Sequence, residues 1–301
     1  MILAADIGGT NIRAAVIDSE GSIADETHSR IDLGKRDLGE TELLERLTGF
    51  FAPILNSHSD IRAIGIGFPG FFLGDSGVLT ASPNLPNLKQ VDLAGQLSDS
   101  LNLPVCVQND ALCAAIGEQH FGAGRGHSSL LHLTLGTGIG GGLIINNAPY
   151  YGDGGMAMEF GHLRVAHDDQ ARLCGCGGRG CVEAYASATA ISAQYEEANR
   201  VNLSAEEIYQ RAGNADETAQ NIIRNAGSYL GMAIAEAVKL LDVRTVTISG
   251  GLTGAWDILH PAMTTALNNN LIPPLKSEVS VLRSTLDDNA GLLGAAALAT
   301  S

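Results

Sequence analysis

The sequence predicts an α/β protein built from two related domains. Three observations lead there. The chain has 301 residues, too many for one small core. Strand-like and helix-like apolar patterns alternate along it. A glycine-turned strand pair near the N-terminus also recurs mid-chain: Gly9–Ile17 lines up with Gly136–Ile144 in the form G-T-x-I-x-x-x-[VL]-I.

The first segment, 2–23, reads strand, glycine turn, strand, turn, strand, with Ile12, Ala14 and Val16 alternating against Arg13 and Ala15. No helix pattern follows its glycines directly, unlike a Walker or dinucleotide-binding loop. Residues 41–55 carry Leu43, Leu44, Leu47, Phe50 and Phe51 at helical spacing. A buried strand is expected over 62–70, ending in a Pro-Gly turn. Another is expected over 104–110, followed by a helix over 111–122. The repeat spans 128–147. Helices are then expected over 205–213, with Ser204 as N-cap and Glu207 three residues on, and over 218–242. A strand over 243–252 enters a third glycine turn, and Asp287–Ala299 reads as a terminal helix with acids at its start.

Composition narrows the function classes. Net charge is -15, with no Lys/Arg run, so nucleic acid is not an expected partner. No apolar stretch has the length of a membrane span, and a strand-like run begins at Ile2 where a leader would sit. A cytoplasmic location is expected. Five Cys there read as thiols or metal ligands before disulfides.

Four groups of residues suggest chemistry. Cys174, Cys176 and Cys181 lie within eight residues, and His162 precedes them. Cys3His is a complete tetrahedral set for structural zinc, and the glycines at 175, 177, 178 and 180 let a short loop wrap one ion. Cys106 and Cys113, in apolar surroundings, read as core thiols. The turns Asp6-Ile7-Gly8-Gly9-Thr10-Asn11, Gly136-Thr137-Gly138 and Ser249-Gly250-Gly251 offer backbone N–H groups and hydroxyls to phosphate, with Asp6 placed to hold Mg²⁺. Asn109-Asp110 marks a strand end and a helix start. A carboxylate there reads either as a base for a hydroxyl attacking a phosphoryl group or as a simple N-cap. Glu159, His162 and Glu183 bracket the Cys loop and suit hydrogen bonding to sugar hydroxyls.

Together these stretches resemble the ROK family (repressors, open reading frames, kinases), and within it the glucokinase-like bacterial sugar kinases. The matching segments are DIGGTNIRAAVID (6–18), GIGFPG (65–70), ASPNLPNL (81–88), QNDALCAA (108–115), LTLGTGIGGGLI (133–144), EFGH (159–162), CGCGGRGCVE (174–183) and ISGGL (248–252). The resemblance implies a two-domain actin-like (ribonuclease H-like) ATPase fold with an interdomain cleft. Its small domain would be 1–118, completed by helix 287–301, and its large domain 119–286, with the zinc loop. It implies an ATP:hexose 6-phosphotransferase using Mg²⁺, with Asp110 as base. Gly70, Asn84, Asn109, Asp110, Glu159, His162 and Glu183 would lie on the sugar side. Asp6, Gly8, Gly9, Thr10, Asn11, Gly136, Thr137, Gly138, Gly250 and Gly251 would lie on the nucleotide side. Zinc would be held by His162, Cys174, Cys176 and Cys181, and a homodimer is expected.

Glucose is the first expectation for the sugar, ahead of N-acetylglucosamine and N-acetylmannosamine, then fructose. Polyphosphate as donor stays open. A sugar-responsive repressor, which carries a helix-turn-helix region ahead of the kinase-like part, is not the expected reading, because the first strand is expected to start at residue 2. Because Glu159 and Glu183 flank the Cys loop, loss of zinc is expected to weaken sugar handling more than nucleotide binding.

Overall fold

The structure, a computed structural model, describes residues 1–8, 11–30, 38–83 and 85–300. In chain order its first elements are β1 (Ile2–Ile7), β2 (Asn11–Ile17), β3 (Ile23–Arg30), α1 (Glu40–Ser57), β4 (Ala63–Phe68), β5 (Phe71–Phe72), β6 (Val78–Ala81) and β7 (Lys89–Asp92). Next come α2 (Leu93–Leu101), β8 (Val105–Asn109), α3 (Asp110–His120), β9 (Leu130–Leu135), β10 (Ile139–Ile145), β11 (Ala148–Pro149), α4 (Glu183–Ala186), α5 (Ala188–Asn199) and α6 (Ala205–Gly213). The chain ends with α7 (Glu217–Leu241), β12 (Thr245–Ser249), α8 (Trp256–Asn270), β13 (Ser280–Arg283) and α9 (Ala290–Leu298). The expected terminal helix is divided: Asp287–Asn289 form a 3-10 turn and the α-helix starts at Ala290. No helix of the described residues is long and apolar enough to cross a membrane.

Two compact units emerge. One comprises 1–128, 142–157 and 288–301; the other comprises 129–141 and 158–287. A single boundary at 118/119 does not anticipate segment 142–157. It joins the first unit because glycines let it approach closely. A Cβ on Gly142 would lie 2.6 Å from the Ala115 Cβ, and one on Gly155 would overlap the Phe72 carbonyl.

In the first unit the sheet order is β3-β2-β1-β4-β8. β1 and β2 form an antiparallel hairpin; β4 and β8 add in parallel. Side chains alternate across the sheet. Leu3, Ala5 and Ile7 join the core with Leu43, Leu47 and Phe51 of α1 and with Leu93 and Leu97 of α2. Asp6 therefore points to the opposite face, where α9 packs. There Gly65 of β4 admits the Ala295 backbone, and Gly117 and Gly294 bring α3 and α9 into backbone contact.

The second sheet has the order β11-β10-β9-β12-β13. Its strands match the first sheet's in sequence rank, one for one, and β9, β12 and β13 are likewise parallel. In the second unit α7 and α8 pack closely through Gly227 and Gly231, which abut the Leu259 and Met263 carbonyls.

Candidate functional site

In the first unit the parallel strands end side by side. Asp6 of β1 pairs with Gly67 of β4, and Phe68 of β4 with Asn109 of β8. Gly67 has no side chain to separate its neighbours: a Cβ there would lie 3.5 Å from Asp6 Oδ1 and 3.6 Å from the Asp110 Cα. The two acids thus meet across a glycine at the C-terminal edge of the sheet, where ligands of open α/β sheets collect.

Asp110 is not the helix cap. Asn109 is, its Oδ1 accepting the Leu112 N–H at 3.1 Å while its Nδ2 donates to the Gly70 carbonyl at 3.1 Å. Buried Gln108 in turn accepts the Asn109 N–H at 2.8 Å. With Asn109 as the cap, the Asp110 carboxylate accepts the Ala111 N–H on Oδ1 at 2.8 Å, and its own backbone N–H also acts on it. Burial raises the Asp110 carboxyl above its ordinary value, against the pull of the Ala111 and Asp110 N–H groups.

Asp6 is raised to about 6, chiefly by burial and next by the charge of Asp110; Arg13 opposes the shift. Arg13 lies opposite Asp6 in the hairpin register. Its guanidinium donates to Glu26 Oε1 at 2.6 Å, to the Asp288 carbonyl at 2.7 Å and to Asn289 Oδ1 at 2.8 Å, tying β2 and β3 to the start of α9. Gly291, in the first turn of α9, leaves room for the Asp6 carboxyl: a Cβ there would sit 3.2 Å away. Two acids raised by burial, Asp6 also by the charge of Asp110, suit a hard cation, since Mg²⁺ binds through one or two carboxylates plus substrate phosphates. Gly8 and Asn11 close the hairpin, with the Gly8 N–H donating to the Asn11 carbonyl at 2.8 Å. Gly9, Thr10 and Asn84 lie outside the described residues.

In the second unit, the ligand atoms of His162, Cys174, Cys176 and Cys181 all lie within 4.8 Å of one another. Cys176 Sγ is 3.7 Å from Cys181 Sγ, and Cys174 Sγ is 3.7 Å from His162 Nδ1. Those are edge lengths of a tetrahedron with metal–sulfur bonds of about 2.3 Å. The Gly178 N–H donates to Cys176 Sγ at 3.4 Å, as it would to a thiolate. His162 Nε2 lies 3.6 Å from Glu159 Oε2, the second-ring-nitrogen partner that metal-binding imidazoles commonly have. These four side chains could hold zinc. Glu183 also borders the group, with Oε1 3.8 Å from Cys174 Sγ.

The turn between β9 and β10 is shaped by inward-facing carbonyls. The Ala188 N–H donates to the Gly136 carbonyl at 2.8 Å, and Thr189 Oγ1 donates to the Thr137 carbonyl at 2.8 Å. Among the described residues, neither the Thr137 N–H nor the Gly138 N–H has a hydrogen-bond partner, an arrangement suited to anions. Added Cβ atoms on Gly136 or Gly251 would meet open space. Gly250, at φ +93°, lies so close to Leu135 that any side chain would overlap its backbone. Beneath these turns buried His132 joins the two strands: Nδ1 to Thr247 Oγ1 at 2.9 Å, and Nε2 to Ser249 Oγ at 3.0 Å and Thr134 Oγ1 at 3.2 Å. Burial lowers His132 to about 3, so it is neutral.

Sequence reasoning missed Gly67, Gly291, Arg13, His132 and Thr189. Only Gly67 carried a local signal, being a glycine inside a buried strand.

The ROK family model matches residues 2–301. The glucokinase of Halalkalibacterium halodurans is 32% identical over 306 residues, covering 96% of this chain and 92% of the relative. An N-acetyl-D-glucosamine kinase of Mannheimia succiniciproducens is 29% identical, covering 99% of each chain. The crystal structure of a ROK family glucokinase from Streptomyces griseus, in complex with glucose and AMPPNP, superposes with a TM-score of 0.84 at 31% identity, covering 99% of both chains. The fold is thus the two-domain actin-like ATPase fold expected from the sequence.

Proposed function

The chain belongs to the ROK family, and on that premise we propose that it transfers the γ-phosphoryl group of ATP to the C6 hydroxyl of a hexose, with glucose as its substrate. Asp110 carries this reading. It stands at a strand end beside Asp6, and Asn109 performs the capping that would otherwise occupy it. A carboxylate raised by burial is a stronger base than an ordinary one, and it titrates closer to neutral pH.

In this mechanism Asp110 accepts the C6 hydroxyl proton as the oxygen attacks phosphorus and the bond to the ADP oxygen breaks. Positioning and electrostatics supply most of the acceleration in phosphoryl transfer. The N–H groups of Thr137 and Gly138, with the Gly8 and Gly250-Gly251 turns and with Gly9, Thr10 and Asn11, hold the phosphates. Asn109, Glu159, His162 and Glu183 bind sugar hydroxyls, with Asn84 and the Gly70 turn completing that side. Asp6 would hold Mg²⁺, which supplies charge neutralisation of the phosphates when bound. His162, Cys174, Cys176 and Cys181 would hold zinc, which supplies rigidity to the loop between Glu159 and Glu183.

Glucose is preferred over N-acetylhexosamines because the Halalkalibacterium glucokinase and the glucose-bound Streptomyces structure converge on it, and fructose ranks lower because ASPNLPNLKQVDL (81–93) looks more like the glucokinase stretch than its fructokinase counterpart. The Mannheimia relative makes N-acetylglucosamine the second reading. Calorimetry with Asp110→Asn tests the assignment: glucose should still bind while turnover disappears. Substantial residual turnover would remove Asp110 from the base role.

A further inference from the structure

Behind the metal loop runs one short stretch, Cys181 to Thr189, that reaches the nucleotide-side turn at three points. Cys181 is one of the four converging ligand atoms. Two residues on, Glu183 Oε2 accepts the Ile139 N–H at 2.9 Å. The carboxylate lies so close to the turn that a Cβ on Gly138 would be 2.6 Å from that oxygen. Ala188 and Thr189, in the first turn of α5, hold the Gly136 and Thr137 carbonyls. Ser187 caps that same helix, its hydroxyl accepting the Ala190 N–H at 3.1 Å. With both carbonyls drawn toward α5, the intervening N–H groups are left facing away from it.

We propose that Cys181–Thr189 is a positioning segment that sets the Gly136–Ile139 turn for nucleotide, with Thr189 as its positioning residue, so that the metal loop controls nucleotide binding as well as sugar binding. This rests on assigning that turn to nucleotide. The grip has a physical basis in peptide geometry. A peptide plane cannot turn its N–H without turning its carbonyl, and a tight glycine turn has other accessible conformations. Fixing two successive carbonyls removes those alternatives before ligand arrives, which is preorganisation. Glu183 has a double duty: one oxygen holds Ile139 and the other borders Cys174. Disorder of the loop would therefore reach both ligands, in place of the mainly sugar-side loss expected from the sequence.

Thr189 provides the test because it is exposed and lies outside the proposed sugar-binding set. AMPPNP binding in the presence of Mg²⁺ but no sugar, and glucose binding without nucleotide, would be measured by calorimetry on the full chain. Thr189→Val removes one neutral hydrogen bond and should raise the AMPPNP Kd by about 2- to 12-fold, leaving the glucose Kd within about twofold. Thr189→Ser keeps the hydroxyl and should restore AMPPNP binding, an outcome that general destabilisation would not give. Stripping the loop with a zinc chelator, with released ion followed by a colorimetric dye, should weaken AMPPNP and glucose together. An unchanged AMPPNP Kd in Thr189→Val, or chelation that weakens glucose alone, overturns the segment's role while leaving the kinase assignment standing. Wild-type protein that binds no AMPPNP overturns both.

Discussion

Acid should destabilise the second unit through one residue, His132. Its side chain is completely buried, and both ring nitrogens are engaged by hydroxyls of Thr134, Thr247 and Ser249. Burial disfavours the imidazolium and lowers the group from 6.5 to about 3. The unfolded chain takes up a proton near 6.5, whereas the folded chain does not until about 3. Between those values the unfolded state binds more protons, so stability is fully present above 6.5 and is lost as pH falls toward 3. At pH 5.0 the loss is about 1.5 units at 1.36 kcal/mol each, or about 2 kcal/mol. Urea unfolding of wild type and His132→Gln at pH 7.5 and 5.0 isolates this contribution, because every other titrating group is common to both proteins. Gln keeps a donor and an acceptor but does not titrate. Wild type should lose about 2 kcal/mol more than His132→Gln across that interval. Equal losses would refute a neutral, buried His132.

Other consequences follow from the first unit and from the β9–β10 turn of the second. Asp110→Asn should raise thermal stability at pH 7 while removing activity. A carboxyl raised on folding contributes stability below its unfolded value and loses it as pH rises through the folded one, so the ionised group is a liability at neutral pH. A melting curve checks this, and a lowered midpoint would contradict it. Gly294→Ala should cost about 1–3 kcal/mol, because the new methyl overlaps the Cys113 carbonyl and must push α9 from α3. Urea titration measures the cost. Gly136→Ala, whose Cβ meets open space, should leave stability within about 0.5 kcal/mol by the same titration, yet weaken AMPPNP binding by filling that space.

The parts of this architecture that depend on local pattern were legible before the structure. The hairpin 2–17 declared itself by alternation around glycines. Ser204 and Glu207 form the expected capping box, each side chain bonding the other's backbone. The Cys cluster was legible because three ligands share one short loop. Helix α8 was not, since Pro261 lies within it and reads as a breaker. The capping question at Asn109-Asp110 could not be decided from position, because both residues cap well and only the side-chain directions separate them. His132 and Thr189 were invisible for a different reason. The cross-strand partners of His132, Thr247 and Ser249, lie 115 and 117 residues away in sequence and the Thr137 partner of Thr189 lies 52 away, so these roles exist only once β9, β12 and α5 have packed.

The central claim is sugar-dependent phosphoryl transfer with glucose preferred. A coupled ADP assay with Mg-ATP would compare glucose, mannose, fructose, N-acetylglucosamine and N-acetylmannosamine on wild type beside Asp110→Asn. The account predicts the highest kcat/KM for glucose and no sugar-dependent ADP from Asp110→Asn. A higher kcat/KM for an N-acetylhexosamine would contradict the substrate assignment, and wild type that forms no ADP with any of the sugars would contradict the account as a whole.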